Sequence, residues 1–145
     1  MEAMEHSCLC HNADHGPEPF SASITRAARQ NENFRTAFWT GKHLQLTLMD
    51  IPVCGEIGSE MHSHTDQLIR VEDGQALLRM GVCKEKADLQ RRLGPGDAVF
   101  VPEGTWHNIL NTGNCPLKLS SVYAPPQHLR GTVHHTKADA AHEDH

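Results

Sequence analysis

The sequence predicts an all-β protein built as an antiparallel sandwich or barrel, and three observations support this. Short runs alternate apolar and polar residues, as residues 44–48 do, which is the period of a half-buried strand. Turn-forming Gly and Pro residues separate these runs along the chain. At 145 residues, the chain is long enough for one domain with an apolar core of its own.

The elements follow in chain order. Residues 1–20 are polar, contain Gly16-Pro17 and are expected to form a flexible arm, while residues 23–30 favour a helical turn. Strands are expected at residues 34–39, 44–48, 67–80 (two strands joined by the turn Glu72-Asp73-Gly74), 97–102, 106–110 and 117–123. Residues 82–92 are charged and favour a hairpin or loop. We therefore expect a barrel at residues 21–130 and a tail at 131–145, with a short helix or ordered segment in that tail.

Three histidines are candidate metal ligands. His62 and His64 are two residues apart in the phrase Met61-His62-Ser63-His64, so on a strand they would point to the same face. His107 follows a Pro-x-Gly turn at the start of another apolar run. Three imidazoles that converge inside a small barrel would form a site for a divalent metal ion.

Two motifs give the chain a family resemblance. The later one has Gly96, then Pro102-x-Gly104, His107 and Asn111, with five, two and three residues in the gaps. The earlier one is His62-x-His64 with a closing Gly74. In this order and with strand-like sequence between them, the motifs resemble those of small single-domain cupins, over roughly residues 34–125. The resemblance implies an antiparallel double-stranded β-helix, or jelly-roll barrel, with metal bound by the motif histidines.

One position departs from the family pattern. Where cupins usually carry a metal-binding Glu, this chain has Gln67, with six residues between it and Gly74. A Gln would bind metal through its neutral carbonyl oxygen and leave more of the ion's charge uncompensated. Alternatively, Gln67 only forms hydrogen bonds nearby, and the three histidines hold the ion together with waters. Asp66 is a less favoured oxygen ligand, because strand alternation turns it away from Gln67.

The resemblance leaves the reaction open, because this fold carries many functions. We favour a metal-dependent enzyme that isomerises or tautomerises a small hydroxylated or sugar-like carbonyl compound, with Mn, Fe, Ni or Zn as the divalent ion. The candidate catalytic bases are Glu60, Tyr123 and His128. The alternatives are a non-haem iron dioxygenase, a binding protein without turnover, and a metal-free cupin whose histidines bind a sugar.

Composition bears on partners and location. The net charge of -5 and the absence of a basic stripe argue against nucleic-acid binding. No apolar run is long enough for a membrane span, and the acidic N-terminus is unlike a signal peptide, so we expect a cytoplasmic protein. The five cysteines are expected to be reduced. A group of residues near the N-terminus (His6, Cys8, Cys10, His11 and His15) is a minor candidate for binding a soft metal. We expect the protein to form a homodimer that pairs through the strand at 34–39.

Overall fold

The structure is a computed structural model that describes residues 14–143. Within this range the helices are α1 (Ile24–Gln30) and α2 (Lys137–Glu143). The strands are β1 (Arg35–Thr40), β2 (Gln45–Ile51), β3 (Asp66–Asp73), β4 (Ala76–Gly81), β5 (Leu89–Leu93), β6 (Ala98–Val101), β7 (Trp106–Asn111), β8 (Leu117–Ala124) and β9 (Val133–His134). The expected strands are therefore present, with bounds that differ by a few residues.

The strands form two sheets, and all the paired strands are antiparallel. One sheet has the order β6-β3-β8-β2-β1-β9 and the other the order β5-β4-β7. The turn between β3 and β4 does not close a hairpin, because it carries the chain from the first sheet to the second. Gly74 makes this corner possible with φ of 101°, a conformation that side chains disfavour. The predicted all-β, antiparallel double-stranded β-helix is confirmed.

The apolar core lies between the sheets at one end of the barrel. Its members share an inward-facing position and are almost fully buried: Phe34, Met49, Ile51, Ile57, Ile69, Val71, Ala76, Leu78, Leu93, Val99, Val101, Ile109, Leu117 and Leu119. Asn111 supports this end, since its side chain binds backbone groups: Nδ2 donates to the carbonyls of Ile51 and Cys115, and Oδ1 accepts from Gly113 N. The motif asparagine therefore has a structural role.

Both chain ends pack on β1 where the structure describes them. His15 N donates to Phe38 O at 2.9 Å, and the Asp14 carboxylate binds the Thr40 backbone and hydroxyl. On the same side, β9 pairs with the start of β1. Residues 14–20 of the expected arm are thus held against the barrel. The expectation that β1 is a free sheet edge is wrong, because β9 and residues 14–15 occupy it.

Within residues 14–143, none of the helices has the length and apolar character needed to cross a membrane.

Candidate metal centre

The centre is built where the loop between β2 and β3 meets β7. Glu60 and His107 form a reciprocal antiparallel bridge, in which each backbone N–H donates to the other's carbonyl at 2.9 Å. Gly104, in the turn before β7, donates its N–H to His62 O at 2.8 Å. Gly104 has φ of 80°, which fits the expected role of this motif glycine. These backbone hydrogen bonds thus hold Glu60, His62 and His107 close together inside the barrel.

The side chains of Glu60, His62 and His107 converge. Their ligand atoms all lie within 4.8 Å of one another. Glu60 Oε1 is 3.5 Å from His62 Nε2 and 3.9 Å from His107 Nε2. Both Nε2 atoms are buried and, apart from these contacts with Glu60, have no hydrogen-bond partner within residues 14–143. Buried polar atoms are rarely left in this state unless a water, ion or ligand satisfies them.

The orientation of His107 shows why a cation fits this gap. Its Nδ1 lies 3.1 Å from Thr105 O, and a carbonyl can only accept, so Nδ1 carries the proton. Burial lowers the pKa of His107 by more than the Thr105 carbonyl and Glu60 raise it, so the ring is neutral at pH 7. Nε2 therefore presents a lone pair towards the carboxylate of Glu60. Two lone-pair donors facing one gap are the arrangement that a divalent cation between them stabilises.

Glu60 is ionised in this setting. Burial raises the pKa of its carboxyl, but the neighbouring His62 and the guanidinium of Arg35 lower it by more, so the net shift is downward. Arg35 NH2 lies 3.7 Å from Glu60 Oε2, whereas the short contacts of the histidines are with Oε1. A carboxylate with two imidazoles is a donor set that zinc, iron and other transition metals accept.

Tyr123 and His128 lie beside the three convergent side chains. The rings of His62 and Tyr123 have centroids 5.7 Å apart, and His128 Nε2 is 3.4 Å from Tyr123 OH. Burial raises the pKa of the Tyr123 phenol, which is therefore protonated at pH 7. Burial and then the charge of Arg35 lower the pKa of His128 to about 3. A protonated phenol thus adjoins a neutral imidazole, the states needed to give and to accept a proton.

Gln67 faces the same interior. It pairs with Tyr123 in the β3–β8 register, so the two side chains share a face. Its Nε2 donates to Ser121 Oγ at 2.7 Å, while its Oε1 is buried and has no hydrogen-bond partner in the described part of the chain. The oxygen that would contact a ligand or ion is therefore available, and Gln67 stays a candidate ligand.

The structure separates the two histidines of the first motif. His62 is half-buried in the cluster, whereas His64 is exposed and is not one of the three residues whose ligand atoms converge. The parity argument does not apply here, because residues 61–65 form a loop and β3 begins only at Asp66. Glu60, expected as a base, is instead the carboxylate of the cluster.

The remaining predicted positions lie elsewhere. Arg70 is exposed and pairs with Glu72 at 3.3 Å, so it points outward. His6, Cys8, Cys10 and His11 lie outside the described residues. His15 stacks on Phe20 with ring centroids 4.1 Å apart. Sequence reasoning did not single out Arg35 or His134, which meet inside the barrel although they are far apart in the chain.

Comparisons with known proteins agree with this fold. Residues 47–123 match the family model described as a cupin domain. YrkC of Bacillus subtilis, named as an uncharacterized protein, is 54% identical over 127 residues, which cover 88% of this chain and 68% of YrkC. The crystal structure of BH2720 from Bacillus halodurans is 52% identical with a TM-score of 0.88, covering 90% of this chain and 98% of that one. KdgF from Halomonas shares only the fold, at 19% identity and a TM-score of 0.57, covering 64% of this chain and 80% of that chain. With both motifs, the barrel and the convergent histidines in place, the chain belongs to the cupin domain family.

Proposed function

We propose that this protein is a metal-dependent enzyme that isomerises or tautomerises a small hydroxylated carbonyl compound. The observation that carries the proposal is the juxtaposition of two chemical groups in one interior. Glu60, His62 and His107 provide a donor set for a divalent ion, and Tyr123 with His128 provides a proton-transfer pair at its side. A binding protein without turnover would not need the second group.

The ligands we propose are Glu60, His62 and His107, with Gln67 as a candidate fourth. The sequence-based expectation included His64, which is exposed. A bound divalent ion would supply Lewis-acid polarisation of a substrate carbonyl. The backbone bridge between Glu60 and His107 and the Thr105 contact hold these side chains in place before any ligand arrives, so little reorganisation is needed on binding.

The proton transfers are assigned to Tyr123 and His128. Isomerisation removes a proton from the carbon next to the carbonyl, forms an enediol, and returns a proton to the neighbouring carbon. His128 is neutral at pH 7, since burial lowers its pKa to about 3, and its ring can accept the proton from carbon. The Tyr123 hydroxyl can donate to the carbonyl oxygen and regain its proton when the carbonyl re-forms. No oxidant or reductant is consumed.

Hydrogen–deuterium exchange tests this chemistry without knowledge of the natural substrate. Purified protein loaded with Mn, Fe, Ni or Zn is incubated in D₂O with simple hydroxyketones, and loss of the C–H signal is followed by proton NMR. We expect exchange at the carbon next to the carbonyl, reduced by roughly 10²- to 10⁴-fold in Tyr123→Phe. Substituting Thr65, a buried hydroxyl bonded to Gln127, with Val provides a control that should retain exchange. Metal-loaded protein that promotes no exchange with any of these compounds would refute the proposal.

A second candidate is a non-haem iron dioxygenase, and one observation favours it. The cluster contains two histidines and one carboxylate, which is the ligand combination of iron(II) oxygenases with open positions. Elemental analysis and oxygen uptake separate the two functions. Iron as the stoichiometric metal, with oxygen consumed in step with substrate and no C–H exchange under nitrogen, would support the dioxygenase and exclude the isomerase.

A further inference from the structure

Arg35 is a charged side chain inside the barrel. It lies on β1, opposite Met49 on one neighbouring strand and His134 on the other, and is only 3% exposed. A buried guanidinium is rare, since removing its charge from water is costly unless hydrogen bonds and an opposite charge compensate. The protein therefore retains a cation beside the Glu60 carboxylate where an apolar side chain would be easier to bury.

The contacts of Arg35 leave much of its donor capacity unused. NH1 lies 3.3 Å from His134 Nδ1, and NH2 lies 3.7 Å from Glu60 Oε2, beyond hydrogen-bond length. Nε is buried and has no partner among the described residues. A guanidinium has five N–H donors arranged to match the two oxygens of a carboxylate. An edge of this planar fork is thus available inside the barrel.

Charge balance points to an anion. Glu60 is the carboxylate that balances Arg35, and it is also one of the three convergent ligands. If it binds a divalent ion, the ion and Arg35 together outweigh its single negative charge. The other ring groups facing this space, His62, His107 and His128, bring no negative charge, and Tyr123 is a protonated phenol. The loaded interior would have an excess of positive charge, which an anionic ligand would neutralise.

We propose that Arg35 binds the carboxylate of the substrate, so that the protein acts on a small hydroxylated keto acid. This rests on the metal site proposed above and narrows its substrate to an acid. The guanidinium approaches one oxygen of the Glu60 carboxylate, Oε2, and the two histidine Nε2 atoms approach the other, Oε1. A three-carbon acid can therefore place its carboxylate on Arg35 and its keto oxygen near the histidines. A planar carboxylate is the anion we propose, because its two oxygens match the unpaired edge of the planar guanidinium.

Three probes with the same hydroxyketone group test this assignment. Hydroxypyruvate carries a carboxylate, dihydroxyacetone is uncharged and dihydroxyacetone phosphate carries a phosphate. Calorimetric titration into the protein, with and without zinc, gives the three dissociation constants. We expect hydroxypyruvate to bind at least about tenfold more tightly than dihydroxyacetone, since a hydrogen bond to a charged group contributes roughly 1.5–3 kcal/mol. We also expect it to bind more tightly than the phosphate ester.

Variants then show whether Arg35 causes the preference for hydroxypyruvate. Arg35→Lys keeps the positive charge but loses the fork, and should weaken hydroxypyruvate binding by about tenfold while leaving dihydroxyacetone unaffected. Arg70→Lys is the matched control, because Arg70 is an exposed arginine on the outer face and should not alter affinity. Circular dichroism and zinc stoichiometry show whether each variant is folded. The comparison of the three probes on unmodified protein needs no variant.

Each outcome separates this inference from the proposed function. Zinc binding and C–H exchange without preference for hydroxypyruvate would overturn the role of Arg35 and leave the isomerase intact. Preference for hydroxypyruvate that depends on Arg35, in a protein that binds no metal, would support the anion site and remove the metal mechanism. Tighter binding of the phosphate ester through Arg35, or unchanged affinity in Arg35→Lys, would overturn the carboxylate assignment.

Discussion

The inward face of the six-stranded sheet is apolar at one end and polar at the other, although the same strands form both ends. Met49, Leu119 and Val71 lie side by side in one row and are all buried and apolar. Farther along the same strands, Gln45, Tyr123 and Gln67 form the equivalent row and are buried but polar. Both rows are excluded from water, so burial alone does not distinguish them.

The two ends differ in how well their polar groups are satisfied. The apolar end gains stability from area removed from water, and few polar atoms there need partners. At the polar end, buried atoms on His62, Gln67 and His107 have no hydrogen-bond partner among the described residues, and the same holds for Arg35 Nε, although the Arg35 backbone lies opposite Met49. Each such atom costs roughly 1–3 kcal/mol if nothing satisfies it. The fold therefore accepts a cost in stability at one end of the barrel, which is what a preformed ligand site requires.

The largest expected effect tests the apolar end. Leu119→Ala removes a fully buried side chain and should lower the free energy of unfolding by about 2–5 kcal/mol, because it leaves a cavity. Metal stoichiometry should not change. Ser121→Ala, two residues along β8 on the same face, should cost less, since it removes only the acceptor of the Gln67 amide. Urea unfolding of the unmodified protein and of the two variants measures the loss in the free energy of unfolding for each substitution. A larger loss for Ser121→Ala would show that the polar end also provides stability.

The next effect concerns metal at the polar end. His107→Ala removes a proposed ligand whose ring makes one hydrogen bond to the described residues, through Nδ1, so the metal-free protein should remain folded. Metal affinity should fall by more than the roughly 10- to 100-fold that loss of a supporting residue causes. His64→Ala is the control, because this exposed residue lies outside the cluster. Competition with a chromogenic chelator gives the affinities. If His64→Ala lowers the metal affinity as much as His107→Ala does, His64 is also a metal ligand.

Much of the barrel could be predicted because local patterns determine it. Strand alternation gave most of the strands, and the glycines at 96 and 104 marked turns where φ is positive. Asn111 ends a strand, and two of its contacts are with backbone groups just after it, Gly113 N and Cys115 O. These features depend on residues close together in the chain, so the sequence displays them directly.

The centre was harder to predict because its geometry depends on long-range pairing. The strand-parity argument placed His62 and His64 together, but these residues lie in a loop tied to the turn at Gly104. Glu60 enters the cluster only through its bridge to His107. Arg35 meets His134 because a two-residue strand near the C-terminus pairs with β1. No local pattern predicts such a pairing, although a single charged residue in an otherwise uncharged strand is a usable signal.

A third prediction concerns the outer face of the same sheet. Side chains from neighbouring strands form an apolar row across it (Phe100, Leu68, Val122, Leu46 and Trp39), and Phe100 is 74% exposed. With β1 covered by β9, this row replaces the strand edge as the surface where we expect a second copy to bind, sheet against sheet. Phe100→Lys should weaken the dimer by about 30-fold or more if Phe100 is a central contact. Sedimentation mass at several concentrations tests this, and a protein that stays at 16.1 kDa throughout would exclude the dimer.

The smallest expected effect concerns Gln67, where the interior changes from polar to apolar. If its free Oε1 binds the metal, Gln67→Glu should bind the ion more tightly by adding charge, and should slow C–H exchange because a carboxylate reduces Lewis acidity. Gln67→Ala should weaken metal binding by less than tenfold, about 1.4 kcal/mol, since water can replace a neutral carbonyl. Ser121→Ala is the control for the lost amide contact, because it removes the acceptor of Gln67 Nε2 but leaves Oε1 in place. If both Gln67 variants keep the unmodified protein's metal affinity, Gln67 only orients its neighbours, and Glu60, His62 and His107 alone form the site.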